Sequence, residues 1–370
     1  MMILSNPYKL LALVAACLWT AVAQAEDAPV RLLDRDVHEF APARGESIAI
    51  PFELDEQASV VVEILSPDGE VLRRLAPQDL DAGRHEVPWD GKDNAGDIVP
   101  DEAYTPRLVV RSQSDEVYRV DPRQGSGGET LQDLEVSVVD SGDIRYVLPR
   151  PARVLIRAGI AGGSMVKSFS TLSPRPAGAN VQRWDGYDES EIERVLDRDD
   201  VRVLVTAFAL PEHSLIAHGN DAYSYHEYRE MKGWPRPESD SEAAPLKRDG
   251  QRIARQHYAP ASSYRDPEIA LELVDTPKDD EGVYLVDGPV HVRVEVADED
   301  KWLLEESLFE VAFFLDHRFV AEEEHGYLPL TWRWRPDPGK PGQRVLTVNV
   351  ISFDGPVGVA SVPVRVLEIE

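Results

Sequence analysis

Apolar and polar residues alternate along most of the chain. The segment VHVRVEV (residues 290–296) places its four valines on one face of a predicted strand and its polar residues on the other. SVVVEI (59–64) and VRVLV (201–205) have the same pattern, which is typical of antiparallel sheets with one buried and one hydrated face. Gly, Pro, Asn and Asp interrupt these strands at intervals of roughly ten residues, which predicts an all-β fold of antiparallel β-sandwiches. Helical spacing occurs only at 189–198 and 300–309.

One part of this pattern occurs twice. AGRHEVPWDG begins at Ala82 and AGANVQRWDG begins at Ala177, an offset of 95 residues. The strand-like segments that begin at Phe52 and Tyr146 correspond in the same way, with an offset of 94 residues. Because a difference of one residue is an ordinary loop change, we expect two copies of one domain.

Each copy contains a Trp-Asp-Gly tripeptide that we interpret as a structural turn. The six residues are Trp89, Asp90, Gly91, Trp184, Asp185 and Gly186. The indole would cover an edge of the sandwich, the carboxylate would accept backbone N–H groups, and glycine tolerates positive φ. The alternative is a calcium loop, because further oxygen donors follow, namely Asp93, Asn94 and Asp97 in the first copy and Asp188 and Glu189 in the second. Their spacing is not that of an EF-hand loop, so we prefer the turn and predict no metal site.

These segments resemble the FlgD-type Ig-like domain, first known from flagellar hook-capping proteins and found in many exported bacterial proteins. The first copy departs from the family at 101–104 (DEAY), where glycine usually precedes the aromatic residue. The second copy keeps Gly178 and its Trp-Asp-Gly, but YDESEIERVLDRDD (187–200) replaces the usual hairpin. GQRVLTVNVISFDG (342–355) resembles a generic bacterial Ig-like domain. The resemblance implies tandem Ig-like or fibronectin-III-like sandwiches and an exported protein, and it does not imply hook capping.

The patterns divide the chain into six parts. We expect a signal peptide at 1–25, a first FlgD-like Ig domain at 26–113, a linker at 114–130, a divergent second FlgD-like Ig domain at 131–211, a linker arm at 212–266 and a third Ig-like domain at 267–370. The arm is polar, contains proline and lacks strand alternation, so we interpret it as a linker or a functional segment.

The arm is rich in aromatic residues and arginine. Its candidate partner-binding residues are Tyr223, Tyr225, Tyr228, Trp234, Tyr258 and Tyr264, which are interleaved with Arg229, Arg236, Arg252 and Arg255. These residue types dominate interface hot spots, so one interpretation is contact with a partner protein. The other interpretation is that the rings pack on neighbouring domains of the same chain and brace them.

The N-terminus predicts export. Lys9 precedes an apolar run from Leu10 to Val22, and Ala23-Gln24-Ala25 has the small-x-small pattern of a cleavage site. We therefore expect a signal peptide cut near Ala25 and a periplasmic, extracellular or cell-surface location in a bacterium. The alternative is a lipoprotein, because residues 14–17 (VAAC) resemble a lipobox that would make Cys17 the lipidated N-terminus. No second apolar segment approaches the roughly 20 residues that span a bilayer, so no integral membrane segment is predicted.

The net charge and the absence of known motifs argue against several classes of function. The net charge of −28 would be repelled by nucleic acid, which is therefore not an expected partner. Cys17 is the only cysteine, so the mature chain would have no cysteine nucleophile and no disulfide. The sequence has no Gly-x-Ser-x-Gly elbow, no His-Glu-x-x-His helix and no phosphate-binding glycine loop, so we predict neither a catalytic site nor a cofactor. His213, His218, His226 and His257 match no zinc pattern, and we interpret them as exposed polar side chains.

Two functions remain as the main hypotheses, and a third, an unrecognised hydrolase, has no nucleophile or metal motif to support it. The preferred one is a non-enzymatic exported scaffold or accessory subunit of a cell-surface or periplasmic assembly, whose partners would be other envelope or extracellular proteins. The alternative is a carbohydrate-binding or polysaccharide-processing accessory protein, with Trp332 and Trp334 as a sugar platform. Joint exposure of the two tryptophans would favour the alternative, and their burial would remove its support.

Overall fold

The structure is a computed structural model, and it describes residues 28–235, 247–257, 261–305, 308–337 and 339–368. The predicted signal peptide, with Cys17, lies outside the described residues, as do Arg236 and Tyr258 of the arm. The prediction of an all-β fold is confirmed, because the described chain is built of sheets that are antiparallel except for two strand pairs, and only two short α-helices interrupt them.

The first sandwich packs two sheets around an aromatic core. Its strands are β1 (Val30–Leu32), β2 (His38–Phe40), β3 (Ile48–Leu54), β4 (Ala58–Leu65), β5 (Val71–Leu80), β6 (Gly83–Trp89), β7 (Glu102–Ser112) and β8 (Val117–Val120). One sheet has the order β1-β3-β6, and in the other β4 lies between β5 and β7 while β8 pairs with the far side of β7. The alternation in β4 buries Val60, Val62 and Ile64 against the opposite sheet. The segment predicted as a linker, 114–130, thus contains a strand of this sandwich.

The second sandwich has the same strand orders. Its strands are β9 (Val136–Val138), β10 (Ile144–Leu148), β11 (Ala152–Ile160), β12 (Met165–Arg175), β13 (Gly178–Gln182) and β14 (Val201–Ala209). The sheet β9-β10-β13 corresponds to β1-β3-β6, and β12-β11-β14 corresponds to β5-β4-β7. The helical spacing at 189–198 yields only one 3-10 turn at Val195–Asp197, because the Asp188 carboxylate accepts the Ile192 and Glu193 N–H groups and folds the segment into a loop.

Residues 212–266, which we call the strap, join the second sandwich to the third. The strap contains β15 (Leu215–Ala217), α1 (Tyr225–Lys232), β16 (Lys247–Arg248) and β17 (Gln251–Arg252), whereas the sequence pattern predicts no element there. The strand β15 returns to the first sandwich, where it pairs with β7 on one side and β2 on the other. The short α1 is well capped, since Ser224 and Glu227 form a capping box and Gly233 ends the helix at φ 63°.

The third sandwich follows the strap. Its elements are β18 (Ile269–Val274), β19 (Tyr284–Val286), β20 (Val290–Val296), α2 (Lys301–Glu305), β21 (Phe309–Leu315), β22 (Arg318–Glu323), β23 (Leu330–Trp334), β24 (Gly342–Ser352) and β25 (Val357–Val366). A three-stranded sheet of order β18-β20-β23 faces a five-stranded sheet of order β19-β25-β24-β21-β22. Helical spacing at 300–309 gives the short α2, which ends before β21. Within the described ranges, neither helix is long and apolar enough to cross a membrane.

The contribution of β15 to the first sandwich can be measured with two leucine substitutions. We expect Leu215→Ala to lower the free energy of unfolding by about 2–5 kcal/mol, because Leu215 is buried in the core of the first sandwich. Leu204→Ala is the matched control, because Leu204 is 64% exposed on β14 and should change stability by less than about 0.5 kcal/mol. Urea denaturation of the full chain compares them, and equal midpoints for the two variants would contradict the assignment of β15.

Candidate functional site: the strap and the Trp-Asp-Gly loops

Both tryptophans of the repeated motif are buried and close their own loops. The Trp89 indole Nε1 donates to the Lys92 carbonyl at 3.0 Å, and the Trp184 indole Nε1 donates to the Tyr187 carbonyl at 2.8 Å. Trp89 also packs edge-on against Tyr104, with ring centroids 5.5 Å apart. Because each buried N–H is paired with a carbonyl three residues on, each indole ties its loop to the core without leaving an unpaired donor.

The next two residues of the motif fix the loop backbone. Asp90 Oδ1 accepts the Lys92 N–H, and Asp185 Oδ1 accepts the Tyr187 N–H. Gly91 and Gly186 follow at φ of 69° and 88°. The six predicted turn residues therefore lie at tight turns in both copies.

These glycines also allow close packing. A Cβ atom at Gly91 would lie 2.2 Å from the Pro42 side chain, and one at Gly186 would lie 2.7 Å from the Leu196 side chain. Neither contact leaves room for a larger residue, so the motif needs glycine at both positions.

Asp93 connects the first Trp-Asp-Gly loop to the strap. Its Oδ1 accepts the backbone N–H groups of Ala95 and Asp97 at 2.8 and 2.9 Å, while its Oδ2 accepts the Tyr228 hydroxyl at 2.7 Å. The Lys232 ammonium lies 2.5 Å from the same Oδ2. Burial by itself would raise the pKa of Asp93, but Lys232, Tyr228 and the backbone donors stabilise the carboxylate and bring its pKa below the usual value.

A second buried carboxylate holds the same helix. Asp68 lies in the turn between β4 and β5, and its Oδ2 is 2.8 Å from the Arg229 guanidinium and 3.1 Å from the Tyr225 hydroxyl. Its Oδ1 accepts the Ser262 N–H from further along the strap. The side chains of Asp68 and Arg229 are almost fully buried, so this pair is shielded from solvent.

The aromatic rings of α1 pack together on the first sandwich. Tyr223 stacks on Tyr228, and Trp234 meets Tyr228 edge-on with centroids 5.7 Å apart. The Tyr223 hydroxyl donates to the Ile98 carbonyl at 2.6 Å. Tyr225 and Tyr228 belong to the core of the first sandwich, and Tyr223 and Trp234 pack against it.

The last part of the strap lies on the second sandwich. Tyr264 is buried in a small cluster with Leu155, Phe208 and Ala254. The described candidate contact residues thus pack on their own chain, which favours the bracing interpretation over partner contact for these rings. Tyr258 lies outside the described residues.

In the second sandwich, the turn between β11 and β12 and the Trp-Asp-Gly loop correspond to the two loops that hold α1 in the first. Here they contact the third sandwich instead. His317, in the turn between β21 and β22, has its Nδ1 at 2.8 Å from Ser164 Oγ and its Nε2 at 2.9 Å from Glu193 Oε2. A Cβ atom at Gly163 would lie 2.3 Å from the His317 carbonyl oxygen, so the two turns touch directly. The Asn349 side chain adds two hydrogen bonds to the Met165 backbone, since its Oδ1 accepts the Met165 N–H at 2.8 Å and its Nδ2 donates to the Met165 carbonyl at 3.0 Å.

Asp188 is the counterpart of Asp93 in this loop, but its surroundings differ. Its Oδ1 accepts the Ile192 and Glu193 N–H groups, as Asp93 Oδ1 accepts two N–H groups in the first copy. Its Oδ2 is buried and has no hydrogen-bond partner among the described residues. The second copy therefore lacks the donors that α1 supplies to the first.

A buried ion pair joins the first two sandwiches at the point where the first copy departs from the family pattern. Glu102 lies 2.9 Å from Arg153 of β11, and both side chains are largely buried. Burial raises the pKa of Glu102, and Arg153 opposes this effect. Glu102 therefore has a structural partner in the neighbouring sandwich.

The four histidines of the strap do not converge. His213 Nδ1 is 2.8 Å from the Asp34 carbonyl, and His226 stacks on Trp302. His257 lies against Gly128, and burial lowers its pKa to about 4. Of the four, only His218 is exposed, so the interpretation of exposed polar side chains is wrong for His213, His226 and His257, which pack against neighbouring residues. In the described part of the chain, no three histidine, cysteine or acidic side chains are grouped so that they could hold a metal ion.

The two candidate sugar-platform residues are not jointly exposed. Trp334 is buried in the core of the third sandwich, and Trp332 is half-buried and stacks on Phe313 with centroids 4.4 Å apart. The geometry needed for a flat exposed platform is therefore not met.

The different surroundings of Asp93 and Asp188 give a matched pair of substitutions. We expect Asp93→Asn to lower the free energy of unfolding by about 1.5–3 kcal/mol, because the carboxylate that receives Lys232 and the Tyr228 hydroxyl loses its charge. Asp188→Asn should be neutral or slightly stabilising, because the amide keeps the Oδ1 acceptor and removes charge from an unpartnered buried oxygen. Thermal and urea denaturation measure both, and a larger loss in Asp188→Asn would contradict the account of the loops.

Comparison with known proteins identifies one part of the chain. The sequence of residues 39–114 matches the FlgD Ig-like domain. No curated protein sequence matches the chain. The fibronectin(III)-like modules of CbhA from Clostridium thermocellum are 10% identical and cover 91% of this chain and 93% of their own, with a TM-score of 0.21.

A tetra-tandem repeat from the extending region of a large adhesion protein is 12% identical and covers 92% of this chain and 74% of its own, with a TM-score of 0.20. Likeness at this level carries no argument about function. The resemblance predicted for the first copy is confirmed, and residues 39–114 form an Ig-like domain of the FlgD family.

Proposed function

We propose that the chain is a non-enzymatic exported protein whose braced Ig-like sandwiches act as a scaffold or accessory subunit of a cell-surface or periplasmic assembly. The observation that carries the proposal is that the strap binds to the first sandwich through buried polar contacts. Its conspicuous polar and aromatic side chains, such as Tyr228, Arg229 and Lys232, fix one sandwich to the rest of the chain. A protein that holds its domains in place in this way is suited to presenting surfaces at set positions.

The polar chemistry of the described residues supports a structural role. The buried carboxylates Asp68, Asp93 and Glu102 are paired with cations, and His317 is paired with Ser164 and Glu193. In these clusters the polar groups contact one another across domain boundaries instead of lining a cavity with a free nucleophile and base. This is the arrangement expected of interdomain contacts in a structural protein.

Export is supported by the sequence of the first 25 residues, which has the pattern of a signal peptide. The acidic surface fits a soluble role outside the cytoplasm, and partners would be other envelope or extracellular proteins. The carbohydrate alternative has no comparable support, because Trp332 and Trp334 do not form an exposed pair.

The proposal is tested with a variant that loosens the strap and leaves the cores intact. Tyr228→Phe combined with Lys232→Met removes both donors to Asp93 Oδ2 and keeps the packing volume. Met231→Ala on the same helix is the control, because Met231 is 67% exposed. The tagged proteins are expressed in their native host, and envelope fractions are analysed by native electrophoresis.

We expect the original chain and the Met231→Ala variant to be processed near Ala25 and to migrate in a complex larger than the free protein. The strap variant should be exported equally but should lose that complex, since its sandwiches are no longer held in place. Retention of the chain in the cytoplasm, or migration of the unsubstituted protein as a free monomer, would overturn the proposal.

A further inference from the structure

The third sandwich is open between the free edges of its two sheets. The three-stranded sheet ends at β23, and the five-stranded sheet ends at β22. In the described part of the chain, neither strand has a backbone hydrogen bond beyond its own sheet neighbour. A cleft of about 650 Å³, which is in the range of ligand sites, lies at one end of this opening, where Arg344 of β24, Val366 of β25 and Arg198 of the second sandwich also line it.

The wall of the cleft is apolar and aromatic. Trp332 and Trp334 line it from β23, and Leu315 and Val320 line it from the opposite sheet. Trp332 is held in place by its stack on Phe313 and remains partly accessible. A side chain that entered this opening would therefore meet a fixed aromatic surface.

The rim of the cleft is cationic, although the chain as a whole has a net charge of −28. Five basic side chains line it, against two acidic ones; the basic residues are Arg198, Arg318, Arg335, Lys340 and Arg344, and the acidic residues are Asp316 and Asp337. The positive excess is opposite in sign to the rest of the molecule, so the cleft would attract an anionic ligand selectively.

Among the described residues, two of these arginines have no ion-pair partner, whereas Arg198 is paired with Glu193 and Asp200. Arg344 and Lys340 are paired with Asp316 and Asp337 at 3.0 and 3.3 Å. Arg318 and Arg335 are exposed, and neither forms an ion pair with any described residue. Their planar guanidinium groups are free to bind carboxylates in a bidentate manner.

We propose that this cleft binds an acidic peptide segment of a partner protein, which adds as an extended strand to the free edge of β23. The exposed edge supplies backbone donors and acceptors, the accessible faces of Trp332 and Val320 receive apolar side chains, and Arg318 and Arg335 bind the acidic ones. The chain already uses strand addition internally, because β15 extends the first sandwich along the edge of β7.

This inference rests on the proposed role as an assembly component, and it specifies the chemistry of the partner. It concerns a surface that α1 of the strap does not line. Binding is measured with the purified full chain, so failure of the peptide experiment leaves the envelope experiment unaffected, and the two results can be told apart.

The probe is a fluorescein-labelled octapeptide of alternating glutamate and valine, and its binding is followed by fluorescence anisotropy. We expect saturable binding that weakens about tenfold or more in Arg318→Ser/Arg335→Ser, since two charge-assisted contacts are lost. Arg333→Ser is the matched control, because Arg333 lies on the same strand but does not line the cleft, and it should bind as the original chain does.

Two further probes separate strand addition from simple charge attraction. A peptide of the same sequence with N-methylated alternate residues keeps the charges but loses the N–H donors along one strand edge, and we expect it to bind at least tenfold more weakly. Hydrogen exchange of residues 330–334 should slow when the unmodified peptide is bound. Absence of saturable binding, equal binding of the methylated peptide, or equally tight binding of an anionic polysaccharide such as polygalacturonate would overturn the proposal.

Discussion

The buried carboxylates of Asp68 and Asp93 are the groups on which the arrangement of the first sandwich and the strap depends. A carboxylate removed from water is costly unless it is paired and hydrogen-bonded. Asp68 meets Arg229 and Tyr225, and Asp93 meets Lys232 and Tyr228, all on one short helix. Because a helix of eight residues is marginal alone, α1 and the two loops stabilise each other.

In the second sandwich, the two loops that correspond to those of Asp68 and Asp93 contact a different part of the chain. There the turn that contains His317 packs on the turn between β11 and β12 and on the Trp-Asp-Gly loop. In each of the first two sandwiches, this pair of loops thus serves as an attachment point for a later part of the chain. The buried pair of Glu102 and Arg153 adds a direct contact between the first and second sandwiches. These contacts link the three sandwiches through polar groups whose separation would leave charges or donors without partners.

The sequence predicts the strands and the repeat well, because both follow from short-range patterns. Alternation in segments such as 290–296 and the echo of Trp-Asp-Gly predict a strand and a turn directly. The strap was not predictable in this way, since β15 is a strand only because β2 and β7 lie on either side of it. The Ser and Glu of the capping box, at positions 224 and 227, indicate the start of α1 in the sequence, but strand alternation alone does not reveal them. The ion pairs of α1, Asp68 with Arg229 and Asp93 with Lys232, join residues more than 100 positions apart, and no local pattern encodes such contacts.

The central claim is that the sandwiches are held in a fixed arrangement, and double electron–electron resonance measures this directly. Cys17 is the only cysteine in the sequence, so spin labels can be placed on cysteines introduced at Glu86 and His291, which are exposed on the first and third sandwiches. We expect a single narrow distance distribution that broadens when Tyr228→Phe and Lys232→Met are added. A broad distribution in the chain with an intact strap would contradict the claim.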